Sequence, residues 1–79
     1  MFTEEEFDDC LSAAAALDGS SIVDGGGIAA VYVGRIGHSS KWVAIADWFN
    51  EFHTDSLGES PSHALKNLTT KLDKMKSKA

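Results

Sequence analysis

"KWVAIADWFNEFHTDSLGES", Lys41 to Ser60, is the stretch on which the fold turns. Read with a period of two, residues 41–49 form a strand, Asn50-Glu51 a turn, and roughly 52–56 a further strand. Read with a helical period, Trp48, Phe49 and Phe52 fall on one turn, and a helix across 47–53 is the alternative. The strand reading sends Trp42, Ala44, Ala46 and Trp48 to one face and Val43, Ile45, Asp47 and Phe49 to the other. A carboxylate against a core is costly, so Asp47 marks the solvent side. The alanines on the inner side leave room for a helix to approach. Val43, Ile45 and Phe49 then form an exposed apolar patch, which signals an interaction surface.

Working outward, "IAAVYVGRI" (28–36) is a short β-prone run, and 37–40 (GHSS) reads as the hairpin loop joining it to the strand at 41–49. Ile22-Val23 is a possible strand start, and Asp24-Gly25-Gly26-Gly27 a turn or bulge. Upstream, Thr3 and Glu6 form a capping box with Phe2 and Phe7 at the hydrophobic-staple positions. Glu4, Glu5 and Glu6 suit the positive end of a helix dipole. Phe7, Cys10, Leu11, Ala14 and Leu17 continue at helical spacing, so a helix is expected over 4–17, closed by Gly19. Downstream, Ser60 as N-cap and Pro61 at the first position open a second helix over 61–76. Its apolar stripe is Leu65, Leu68, Leu72 and Met75. Short connections imply an antiparallel meander, and each helix has one stripe to bury. The expectation is a single α+β domain over residues 1–79, helix–three-stranded antiparallel sheet–helix, with both helices on one face.

The chain has 79 residues and a net charge of −5, unevenly distributed: −7 over residues 1–24, −2 over 25–60 and +4 over 61–79. An acidic body is a poor match to a nucleic-acid backbone and a better one to a basic protein surface. No apolar run approaches the roughly 20 residues of a membrane span. The acidic start "MFTEEEFDD" lacks the basic region of a signal peptide, so a cytoplasmic protein without membrane attachment is expected. Cys10 is the single cysteine and forms no intrachain disulfide.

Chemistry finds little support. His53-x-Asp55 is the one close histidine–acid pair, and metal-ligand spacings such as C-x-x-C or H-E-x-x-H are absent. No serine sits in a G-x-S-x-G elbow. Gly25–Gly27 runs into a strand with no lysine following, unlike a phosphate-binding loop. The expectation is no enzyme, no metal and no cofactor.

The order helix–three strands–helix is also that of the double-stranded RNA-binding domain. That family carries a basic cluster where this chain reads Ser60-Pro61-Ser62-His63-Ala64, so direct nucleic-acid binding is not expected. The stretch from Lys41 to Leu72 resembles the HicB antitoxin family, with Ala46-Asp47, Gly58, Ser60 and Ala64-Leu65 filling its places. The whole chain, with its "MFTEEEFDD" start, its "DWFNEFHTDS" centre and its compact layout, looks like the phage-encoded anti-CRISPR proteins. It is most similar to the short inhibitors of type I systems, type I-C among them. That resemblance implies binding to the Cascade surveillance complex, at a backbone subunit whose lysines and arginines receive DNA. The acids Glu4, Glu5, Asp8 and Asp9 of the first helix, with Asp47, Glu51, Asp55 and Glu59, are the expected partner-binding groups. Tyr32, Trp48 or Phe49 would be the apolar anchor. The chain would act as a monomer or small homo-oligomer.

Overall fold

The computed structural model describes residues 2–18, 29–48 and 52–78. Five elements follow in chain order: α1 (Glu4–Ala15), β1 (Ala29–Arg35), β2 (Trp42–Trp48), β3 (Phe52–Gly58) and α2 (Pro61–Lys78). The expected α+β arrangement is what forms: an open antiparallel sheet in the order β1-β2-β3, with both helices on one face. The helical alternative over 47–53 does not occur, because Trp48 closes β2 and Phe52 opens β3 as cross-strand partners.

α1 begins as its sequence dictates. The Glu6 N–H donates to Thr3 Oγ1 at 3.1 Å, and the Thr3 N–H donates to Glu6 Oε1 at 2.8 Å. The Phe2 and Phe7 rings stack with centroids 5.8 Å apart. The helix ends at Ala15, two residues earlier than expected. Its last carbonyls turn to shorter bonds: the Leu17 N–H reaches Ala14 O, and the Asp18 N–H reaches Ala15 O. The Trp48 indole N–H also donates to Ala14 O, at 2.9 Å, so a strand residue helps end the helix. Gly19, Ile22-Val23 and the glycine turn at 24–27 lie outside the described residues.

β1 and β2 pair from Ala29↔Trp48 to Arg35↔Trp42. Gly37 takes a left-handed φ of 54° in the connecting turn, where a side chain would be strained. Ser39 fixes that turn by donating from its N–H and its hydroxyl to Ile36 O, at 3.1 and 2.7 Å. β3 runs two residues beyond the expected end at 56, since Leu57 and Gly58 still pair with Val43 and Trp42. β3 is an edge strand, and α2 covers that edge. Asn67 Nδ2 donates to Leu57 O at 2.8 Å, and Lys71 Nζ donates to Asp55 O at 2.7 Å. One helical turn rises about 6 Å over four residues and a strand about 6.6 Å over two, so the pairs match. Blunting an edge in this way discourages unwanted strand pairing.

The core lies between the sheet and α2, closed on one side by α1. Ala44, Ala46 and Trp48 are fully buried, as the alternation predicts, and Trp42 packs at the margin. Leu65, Leu68 and Leu72 are buried on α2, with Met75 at the edge. Gly58 lets the start of α2 press against the end of β3, so no side chain fits between them. Ser60 caps the helix, its Oγ accepting the His63 N–H at 3.0 Å, while His63 Nδ1 accepts the Glu59 N–H at 3.2 Å.

One polar clasp joins the helices. Glu6 accepts a short hydrogen bond from the Ser62 hydroxyl, and Lys66 Nζ lies 3.6 Å from its Oε2. The bond from Ser62, then the Thr3 backbone N–H, outweigh partial desolvation and hold the Glu6 carboxyl down at about 2, from an ordinary 4.5. A depressed carboxyl stabilises the fold fully above its unfolded value and loses that contribution as pH falls through its folded value. Glu6→Gln is therefore expected to lower stability at pH 7 and to match the parent more closely as pH falls from 4.5 to 2. Urea midpoints across that window would test it; a parallel offset at every pH would contradict the linkage.

Candidate docking face

The sheet has one face against the helices and one without cover from any described element. On the uncovered face the register sets three ranks across the strands. They are Ala30–Asp47–His53, Tyr32–Ile45–Asp55 and Gly34–Val43–Leu57. Tyr32 is 50% exposed and Leu57 53%, with Val43 and Ile45 half-buried between them. Ile36, just past β1, is 40% exposed at the same end. The ranks grade from Asp47 and His53 near the 48/52 end, through Tyr32, Ile45 and Asp55, to an apolar surface near the β1–β2 turn. None of these nine positions holds a lysine or arginine.

The expected site residues divide. Asp47, Asp55 and Tyr32 share this face, and the cross-strand neighbour of His53 is Asp47. Trp48 does not share it. It is fully buried on the inner face, against Phe52 at 5.4 Å between centroids, and in this fold is no anchor for a partner. Its place follows from the strand parity that exposes Asp47. Glu4, Glu5, Asp8 and Asp9 are exposed on α1, in the helical layer on the other side of the sheet. They do not form one surface with Asp47 and Asp55. Glu59 stands at the β3–α2 junction, 3.3 Å from Lys41 in an exposed ion pair of little energetic weight. Phe49 and Glu51 lie outside the described residues.

Leu57 was missed by sequence reasoning, because a strand ending at 56 leaves it in a loop. The signal was the continued alternation of Phe52, Thr54, Ser56 and Gly58 against His53, Asp55 and Leu57. Gly34 adds a flat spot: a Cβ built there meets nothing within 4 Å.

An open cleft of about 340 Å³ between the helices is lined by Glu6, Asp9, Lys66, Thr69 and Thr70. Most of its groups are engaged within the fold: Thr69 and Thr70 hydroxyls donate to Leu65 O and Lys66 O, and Glu6 holds Ser62 and Lys66, while Asp9 is exposed. Beneath it Cys10 is fully buried, and burial pushes its thiol up, away from the reactive thiolate. Among the described residues no three histidines, cysteines or carboxylates gather as a metal site would need, and no helix is long and apolar enough to cross a membrane.

No family model, no curated protein and no solved structure matches this chain.

Proposed function

We propose that the protein is a stoichiometric binding module that seats the open sheet face on a basic protein surface and acts by occlusion. The observation that carries this reading is the face itself: exposed Tyr32 and Leu57 beside Asp47 and Asp55, with no cation at any outward position. An apolar centre supplies affinity, and Asp47 and Asp55 favour a cationic partner and speed its approach. The partner class this favours is a surface that receives nucleic acid. In the finer reading the chain is an anti-CRISPR inhibitor in the bacterial cytoplasm that covers DNA-binding residues of a type I Cascade. The acids of α1 then serve long-range attraction or a second contact, since they face another direction.

The test is target-DNA binding by purified type I Cascade, titrated with the protein. Inhibition is expected to saturate at a fixed stoichiometry. The association rate should fall as ionic strength rises, because the screening length shortens from about 10 Å at 0.1 M salt to about 3 Å at 1 M. Asp47→Lys with Asp55→Lys is expected to weaken inhibition by about tenfold or more. Full potency in that double variant would remove the face from the mechanism, and unimpeded DNA binding at excess protein would remove Cascade as the partner. An antitoxin-like module that masks a small toxin is the second reading, favoured by the same face; it predicts neutralisation of a toxin with the same loss in the double variant.

A further inference from the structure

We infer that the open face receives a single amphipathic helix of the partner, with an apolar row and a cationic end; this rests on the docking-face reading above. The protein itself shows what a sheet of this width accepts. On the inner face α2 reaches all three strands, with α1 packed beside it against β1. The outer strands are about 10 Å apart, from two inter-strand spacings of about 4.8 Å. A helix with its side chains is about 10–12 Å across, so one helix laid as α2 is reaches all three strands of the uncovered face. Each strand has seven residues. At about 3.3 Å per residue that is a length of about 23 Å, or about 15 helical residues at 1.5 Å each.

The face also sets the helix's chemistry and direction. Tyr32, Ile45, Val43 and Leu57 give a continuous apolar bed toward the β1–β2 turn. Asp47 lies in the rank at the other end and Asp55 in the middle rank on the β3 side, so lysines or arginines belong along that half of the face. A second copy of this chain fits less well. The outward side of its α2 has no apolar row, and its Lys66 and Lys71 are held by Glu6 and by Asp55 O. A back-to-back pair would bring the carboxylates of the two faces together.

The experiment titrates the full ¹⁵N-labelled chain with three synthetic 15-residue peptides. One is a helix with a leucine row and lysines in its last turns. The second carries glutamates for those lysines, and the third keeps the first composition in scrambled order. The first is expected to give saturable amide shifts at Tyr32, Val43, Ile45, Asp47, Asp55 and Leu57. It should bind at least fivefold more tightly than the glutamate peptide and measurably more tightly than the scramble. No saturable shift, equal shifts from all three, or shifts confined to α1 and α2 would overturn the inference. So would the same shifts on concentrating the protein alone, which would make a second copy the occupant. If the helix peptide fails while Asp47→Lys with Asp55→Lys still abolishes Cascade inhibition, the docking face stands and only its helical occupant falls.

Discussion

Replacing Trp48 with alanine is expected to bring the domain close to unfolding at room temperature. The indole is fully buried, packs on Phe52 and donates to Ala14 O. Loss of a large buried aromatic costs about 3–5 kcal/mol through lost transfer energy and the cavity left behind. A chain of 79 residues has a total stability of about 4–12 kcal/mol at typical values per residue. Trp48→Phe keeps much of the volume and loses the donor. Ala14 O retains the Leu17 N–H, so this change should cost no more than about 2 kcal/mol. Urea unfolding of both variants is the check. A Trp48→Ala protein within 1 kcal/mol of the parent would show that the ring is not a core residue. Under the proposed function the pair also separates packing from contact: Trp48→Phe should keep Cascade inhibition, whereas Tyr32→Ala should weaken it with little change in stability.

Gly58→Ala is expected to be nearly as damaging for one added methyl group. A Cβ at this position would sit 2.7 Å from the His63 carbonyl carbon and 2.8 Å from Ala64 Cα, and closer still to the Ala64 nitrogen. These are backbone atoms in the first turn of α2, and the Ala64 N–H is already bonded to Ser60 O. No side-chain rotation relieves the collision, and Ala64→Gly would not rescue it. Either α2 lifts from the sheet or β3 loses its last pair. Overpacking of this kind costs about 3 kcal/mol. In a domain of this size that lowers the melting temperature by roughly 12–24 °C. Gly34→Ala is the matched control. Its Cβ would enter open space on the outer face, and stability should hold or rise by up to about 1 kcal/mol. Equal melting temperatures for the two variants would contradict the close approach at Gly58.

The acids illustrate how differently a run of charge reads in one and three dimensions. Asp47, Glu51, Asp55 and Glu59 recur every fourth residue, a helical spacing, yet the segment is strand–connection–strand. Asp47 and Asp55 share a face because each lies at an even position of its strand and the register pairs even with even. Glu59 falls beyond the strand and spends its charge on Lys41. The α1 acids were legible as a helix start and less so as a surface. Glu6 turns inward to Ser62 and Lys66, while Glu4, Glu5, Asp8 and Asp9 remain outside.

What the sequence determined by itself was whatever depends on near neighbours along the chain. The capping box at Thr3 and Glu6, the Ser60-Pro61 start of α2 and its leucine stripe all appear where their local chemistry places them, as does the alternation that buries Ala44, Ala46 and Trp48. The element order followed, since short connections leave an antiparallel meander few alternatives. Tertiary structure decided the rest. α1 stops at Ala15 partly because an indole 34 residues away takes the Ala14 carbonyl. β3 extends to Gly58 because β2 offers it partners and because α2 needs a glycine to rest on. Only the pairing of three separate strands brings Tyr32, Ile45 and Leu57 onto one face. Periodicity within one segment tells which residues share a side. Only long-range pairing tells which segments share a face, because that choice is made by contacts between residues distant in the chain.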